Sequence, residues 1–173
     1  RTGYFVGPDG YPRPEEKYSE NVVEIKYDHR GFETIKRYRS RGLHAVRGPD
    51  KAFGRIEVLN DEGMMLRLVS LGPDDKPLDD EAGNEILEVT EMDKLGNILE
   101  AVTRDASGRI TLVKKGFSIT RQKYDFAGNI TSAAYYDSAG APVCIVEGYH
   151  RATWKRDERG RVVQGRFYDI EGN

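Results

Sequence analysis

The sequence predicts an all-β protein made of tandem β-hairpin or meander repeats that form an elongated or curved sheet array. Three observations support this fold class. Glycine occurs 19 times in 173 residues, and helix-forming residues do not line up in a helical stripe. Asp-x-x-Gly turn signals recur along the chain, and the segments between them are short. Those segments are rich in residues that favour strands, as in the stretch from Asn129 to Tyr136.

The turn signals recur at one fixed spacing. Five of them share a phase, and their glycines are 32, 33, 32 and 32 residues apart. They are Asp28–Gly31, Asn60–Gly63, Asp93–Gly96, Asp125–Gly128 and Asp157–Gly160. Such a period is typical of repeat proteins, whose units pack on their neighbours. We therefore expect about five β repeats of about 32 residues over residues 22–173, after an irregular half-repeat or cap over residues 1–21.

Each turn should close a hairpin. The aspartate carboxylate accepts the backbone N–H two residues later, and the glycine takes a left-handed conformation without steric cost. A type I turn followed by a left-handed glycine gives a hairpin with a bulge beside the turn. Two further turn phases, represented by Asp137–Gly140 and Gly148, divide each unit, so we expect three short strands per unit.

Two strand positions indicate how the units pack. Counted from the turn glycine, the fifth residue is small in the last three units, and the seventh is aromatic in the first and the last two. The small residues are Ala101, Ala133 and Gly165, and the aromatic ones are Tyr38, Tyr135 and Phe167. Positions two apart share one face of a strand. We expect close contact with a neighbouring layer at the fifth position and an aromatic seam at the seventh.

Composition and charge exclude several classes of function. Charged residues make up 32% of the chain and no apolar run of about 18 residues occurs, so we expect no membrane span. The net charge is −2, but residues 61–100 carry −9 while residues 21–60 and 101–173 carry +4 each. No uniform basic stripe is present, so we expect no nucleic-acid partner. The single cysteine excludes a disulfide framework within the chain.

No catalytic constellation is apparent, so we predict no enzyme activity, no cofactor and no metal site. Neither a GxSxG nor a GxxxxGK[ST] motif occurs, and the three histidines lack a metal-ligand spacing. Periodicity identifies the turn aspartates as turn caps rather than acid–base catalysts. Cys144 lies in an apolar run and is expected to be buried. Asp74, Asp75 and residues 79–81 form an acidic cluster, interpreted as a solvated loop, with Ca²⁺ ligation as the alternative.

Aromatic residues give the best functional hint. Several of them cluster in the last third of the chain. Aromatic faces stack on sugars or pack on protein partners, although filling the seam between strands is the favoured interpretation. The candidate ligand contacts are Tyr135, Tyr149, Trp154 and Phe167.

The motifs around three of these turns resemble bacterial YD repeats of the RHS type. They read Tyr124-Asp125-x-x-Gly128-Asn129, Tyr136-Asp137-x-x-Gly140 and Tyr168-Asp169-x-x-Gly172-Asn173, in a unit of about 32 residues that is longer than the usual one. The resemblance covers residues 22–173 and transfers no functional residue. It implies β-hairpin ribbons in a bacterial protein that is secreted, periplasmic or on the cell surface, and carbohydrate binding in some members.

Two functional hypotheses follow. The first is a non-enzymatic bacterial repeat module that presents a β surface to a protein partner or glycan. The alternative is a structural spacer or scaffold repeat within a larger enzyme or toxin-like protein, of which the chain would be a fragment. Repeats specify a scaffold and leave the ligand open, so the sequence alone does not choose between the two.

Overall fold

A computed structural model of the chain describes residues 2–4, 22–40, 42–48, 52–78 and 86–173. Within these residues all eleven regular elements are β-strands, which confirms the predicted all-β fold class. The strands are β1 (Thr2–Tyr4), β2 (Val22–Tyr27), β3 (Glu33–Arg39), β4 (Gly54–Leu59), β5 (Met65–Leu71), β6 (Ile86–Met92), β7 (Ile98–Arg104), β8 (Ile119–Tyr124), β9 (Ile130–Tyr136), β10 (Arg151–Arg156) and β11 (Val162–Tyr168).

The chain divides into two compact units, Arg1–Ile86 and Leu87–Asn173. In the first unit, β1 to β5 pair antiparallel in chain order. In the second, β7 to β11 do the same. Each unit is thus a meander of successive hairpins, as the repeat pattern predicts. Of the segment 1–21, strand β1 pairs with Val22–Glu24, and the rest lies outside the described residues.

The turns have the geometry that the Asp-x-x-Gly pattern predicts. The five phased turn glycines, from Gly31 to Gly160, have φ between 76° and 93°, in the left-handed region. The pairing register shifts beside the turn in four hairpins, for example between Lys123 and Tyr124. This shift is the bulge that accommodates the left-handed glycine.

The expectation of three strands in each repeat of about 32 residues is wrong. Among the described residues, the third segment of four repeats contributes an isolated bridge instead of a strand, as Arg104 does with Ile110 and Tyr136 with Pro142. In the repeat that contains Ile110, turns end at Gly108 and Gly116, and both glycines are left-handed. The few residues between the two turns are too short a stretch for a paired strand. Each repeat of about 32 residues therefore consists of two regular strands and one irregular return segment.

The packing differs between the two units. In the first, Val69, Leu71 and Ile86 form a buried apolar cluster with Ile56 against it. In the second, small residues are buried where strands meet: Ala133 faces Ala152 across β9 and β10, and both are at most 5% exposed. The fifth strand position is therefore buried at Ala133, where it meets the neighbouring strand of the same sheet rather than the separate layer that was expected. None of the described residues belongs to a helix that could cross a membrane.

Candidate binding surface

Four aromatic rings pack in series along the second unit. Phe117 contacts Tyr135 with ring centroids 5.0 Å apart, Tyr135 contacts Tyr149 at 6.0 Å, and Tyr149 contacts Phe167 at 4.8 Å. We call this series the aromatic ladder. Tyr135 and Phe167 occupy the seventh strand position, so the predicted seam is confirmed there. Phe117 and Tyr149 come from the return segments, just before β8 and β10.

The two return segments that precede β8 and β10 each end in a tight turn with a glycine. Gly116 and Gly148 have φ of 90° and 91°, and the N–H of Gly148 donates to the Ile145 carbonyl at 2.8 Å. The aromatic residue that follows each glycine is thereby directed onto the strand of its own repeat. The glycine-aromatic pairs that precede β8 and β10 are thus a structural signal as well as candidate contacts.

Trp154 lies on the same face as the ladder, beside its last ring. Trp154 pairs with Gly165 and Ala152 with Phe167, and directly paired residues point to the same side of a sheet. A Cβ placed on Gly165 would lie 3.7 Å from Trp154 Cδ1 and 3.9 Å from the nearest Phe167 ring atoms. Gly165 therefore leaves an open gap between the two rings. We call the side of β9–β11 that carries Tyr135, Trp154 and Phe167 the aromatic face.

The structure brings the four predicted aromatic residues onto one face but does not expose them equally. Phe167 is 56% exposed, whereas the others are partly buried. Burial raises the pKa of Tyr135 to about 12, since its phenol lies between neighbouring rings and ionises reluctantly there. Tyr135 is thus mainly a packing residue, and Phe167 is the exposed end of the ladder.

A recess of about 480 Å³ adjoins that exposed end. Tyr149, Phe167 and Tyr168 line it together with Glu147 and Asp169. Aromatic rings beside carboxylate oxygens are the groups with which proteins bind polar ligands such as sugars. The recess therefore combines a stacking surface with two carboxylates that already have partners, since Asp169 accepts the Asn173 N–H at 2.9 Å and Glu147 pairs with Lys115 at 3.5 Å.

The side chains of the turn aspartates accept hydrogen bonds from N–H and hydroxyl groups of their own turns. Asp125 Oδ1 accepts N–H groups from Ala127 and Asn129, each at 2.9 Å. Asp105 Oδ1 accepts the Ser107 hydroxyl at 2.6 Å and its N–H at 2.9 Å. These hydrogen bonds, led by the one from the Ser107 hydroxyl, lower the pKa of Asp105 to about 2. A carboxylate held in this way acts as an acceptor and is poorly suited to proton transfer near neutral pH.

The sequence interpretations of Cys144 and of the acidic cluster can be compared with the structure. The expectation that Cys144 is buried is wrong: Cys144 is exposed, whereas Ile145 beside it is 4% exposed and fills the apolar position. In the acidic cluster, Asp75 is bound by Arg37 at 2.8 Å, while residues 79–81 lie outside the described residues. Among the described residues, no group of three His, Cys, Asp or Glu side chains could hold a metal ion.

The opposite face of β8–β11 carries cations that sequence reasoning missed. Arg121 and Arg151 flank Ala134 in one cross-strand row. The Arg121 guanidinium lies 4.3 Å from the Tyr136 ring centroid and that of Arg151 lies 4.4 Å from the Tyr168 centroid. The sequence could have placed Arg121 and Arg151 on this face, since they alternate along their strands with residues of the aromatic face. Such alternation is hard to recognise where both faces of a sheet are partly covered. Arg121 is also paired with Glu100 at 2.7 Å, which neutralises part of this surface.

No protein-family model and no curated protein matches this chain.

Proposed function

We propose that this chain is a non-enzymatic repeat module whose aromatic face binds a protein partner or glycan. The observation that carries this proposal is Phe167, which ends the aromatic ladder 56% exposed, beside the open gap at Gly165. A large exposed aromatic side chain on a rigid strand can anchor a partner, since it loses little conformational entropy on binding. The resemblance to YD repeats supports a bacterial protein that acts outside the cytoplasm.

The absence of enzyme activity forms part of the same proposal. Its support is that the periodic carboxylates, such as Asp105 and Asp125, are committed to turn hydrogen bonds. Within the described residues, the recess beside Phe167 has no histidine or thiol in its lining that could act as base or nucleophile.

The test compares two exposed phenylalanines. Phe167→Ala removes the proposed anchor, whereas Phe126→Ala removes a side chain that is 98% exposed in the turn between β8 and β9 and is not one of the four ladder residues. The full chain and both variants are applied to an array of glycans and to candidate protein ligands. We expect Phe167→Ala to weaken the observed binding at least about tenfold and Phe126→Ala to leave it unchanged. Equal binding by all three chains would contradict the proposal, and no binding by any would favour the spacer alternative.

A further inference from the structure

A second recess, also of about 480 Å³, lies against the cationic side of β8–β10, opposite the aromatic face. Residues of β6 to β10 line it, and a concave site of this volume suits a small molecule. The charged residues of its lining are Arg121, Lys123, Arg151 and Glu91. It therefore differs from the recess beside Phe167, whose charged lining residues are carboxylates. We call it the basic recess.

Small side chains leave space between the cations. Ala134 stands between Arg121 and Arg151 in one cross-strand row, and Ser132 pairs with Lys123 in the next row. Neighbouring strands lie about 4.8 Å apart, so the Cα atoms of the two arginines are roughly 10 Å from each other across the alanine. The alanine methyl group fills little of this gap. A ligand can therefore lie between the two guanidinium groups.

Aromatic rings hold both guanidinium groups in position. Arg121 lies 4.3 Å from the centroid of the Tyr136 ring, and Arg151 lies 4.4 Å from that of Tyr168. A guanidinium stacked on a ring keeps its N–H groups directed outward in its own plane, where an acceptor can reach them. Arginines ordered in this way lose less conformational entropy when they bind an anion.

The cations of the basic recess differ in their existing partners. Arg121 pairs with Glu100 at 2.7 Å, and the other oxygen of that carboxylate accepts the Thr90 hydroxyl at 2.7 Å. Lys123 and Arg151 are exposed, and neither belongs to an ion pair with any described residue. A ligand anion that pairs with Lys123 and Arg151 therefore breaks no ion pair of the described residues, so its gain is largest there.

The charge balance of the basic recess fits a ligand with one negative charge. Glu91 lies in the lining and Glu100 neutralises Arg121, so two carboxylates stand against three cations. The surplus is one positive charge, which a single carboxylate on a ligand would neutralise. A second negative charge would gain no further surplus and would be repelled by the two glutamates.

The uncharged lining favours hydroxyl groups on the ligand. Ser132 contributes a hydroxyl and Tyr136 a phenol, and the Glu91 carboxylate accepts hydrogen bonds. The aliphatic side chains of the described lining are Leu99 and Ala134. A ligand that carries hydroxyl groups can satisfy these polar groups, whereas an apolar ligand would leave them without partners.

We propose that the basic recess binds a small polyhydroxy acid with one carboxylate. The carboxylate pairs with Arg151 and Lys123, and the hydroxyl groups bind Ser132 and Glu91. This site lies on the other side of the sheet from Phe167, so it goes beyond the proposed function and does not rest on it.

The experiment titrates the full chain, labelled with ¹⁵N, with three six-carbon ligands that differ in charge. Sorbitol has no carboxylate, gluconate has one and glucarate has two, and the ionic strength is held constant. We expect gluconate to shift the amide resonances of Lys123, Ser132 and Ala134 and to bind at least about tenfold more tightly than sorbitol. Acetate, which has the charge without the hydroxyl groups, should bind at least about threefold more weakly than gluconate. Glucarate should bind no more tightly than gluconate.

Two arginine variants provide the matched comparison. Arg151→Gln removes a cation of the lining, whereas Arg159→Gln removes an exposed cation in the turn between β10 and β11, outside the lining. Both change the net charge by the same amount. We expect Arg151→Gln to weaken gluconate binding at least about tenfold and Arg159→Gln to leave it unchanged. The amide spectrum of each variant without ligand shows that it is folded.

A third variant tests the charge balance. Glu91→Gln raises the positive surplus, so it should strengthen glucarate binding about threefold and gluconate binding by less. Equal binding of gluconate and sorbitol, equal losses in Arg151→Gln and Arg159→Gln, or glucarate binding tenfold tighter than gluconate would each overturn the inference. Phe167→Ala should leave gluconate binding unchanged, so this site and the aromatic face can fail separately.

Discussion

Tyr149 and Phe167 pack their rings with centroids 4.8 Å apart and planes inclined at 55°. Tyr149 comes from an irregular return segment and Phe167 from a regular strand, so this contact fastens the return segment to its own hairpin. On its other side, Tyr149 meets Tyr135 of the preceding hairpin. One side chain therefore links two successive repeats, which gives the aromatic ladder a part in stability as well as in the proposed binding.

Tyr135 stands in the middle of the ladder, and its removal should destabilise the second unit. Tyr135→Ala loses contacts with both Phe117 and Tyr149 and leaves a partly buried void. We expect the free energy of unfolding to fall by about 2–3 kcal/mol, below the range for a fully buried aromatic residue. Phe167→Ala, at the exposed end, should cost about 1 kcal/mol or less. Urea unfolding monitored by circular dichroism measures both, and equal losses would contradict the ladder.

The high pKa of Tyr135 should make the stability of the fold depend on pH in the alkaline range. Burial, the largest cause, raises this pKa from 10.0 to about 12, so the folded protein holds the proton more tightly than the unfolded chain does. Stability contributed by this group is present below pH 10 and is lost as the pH rises towards 12. We expect the urea midpoint to fall over that window. Tyr135→Phe keeps the ring but removes the phenol, so an unchanged alkaline slope in this variant would contradict the assignment.

Much of the fold was predictable from the sequence, whereas the site was predictable only in part. The turns follow from local chemistry, because the Asp125 carboxylate and the left-handed Gly128 act within one short segment. The return segments were mistaken for strands because turn spacing, rather than residue type, limits their pairing. The exposure of Cys144 depends on which side of an irregular segment faces the sheet, and no periodicity reports that.

The candidate residues show the same limit. Tyr135 and Phe167 occupy one repeat position, so the sequence places them on one face but treats them as equivalent. Their difference arises from what packs beside them: Tyr149 and Phe117 contact Tyr135, whereas Tyr149 alone of the described rings packs on Phe167. Exposure is therefore a tertiary property that a repeat pattern leaves open.

Acid should weaken the turns. Asp105 has its pKa lowered to about 2 from 3.8, chiefly by the hydrogen bond from Ser107, with further bonds from Arg109. A carboxyl whose pKa is lower in the folded state stabilises the fold above the unfolded value, and this contribution is lost as the pH falls. We expect the melting temperature to drop between about pH 4 and pH 2. Asp105→Asn keeps an acceptor oxygen but cannot titrate, so it should reduce this dependence, and an identical acid profile would contradict the role.

Substitutions at two glycines distinguish the cost of a left-handed backbone from the cost of steric contact with an added side chain. Gly128 has φ of 80°, and a Cβ there would meet only Asn97 Oδ1, at 3.5 Å, so the cost of Gly128→Val comes mainly from the left-handed backbone. We expect that variant to lose about 1–3 kcal/mol of stability in thermal unfolding. Gly165 is not left-handed, and a Cβ there would make ordinary contacts with Trp154 and Phe167. Gly165→Ala should therefore gain about 0.5–1 kcal/mol, since alanine loses less backbone entropy on folding. A neutral Gly128→Val, or similar losses in both variants, would show that the turn glycines are tolerated for a reason other than their φ.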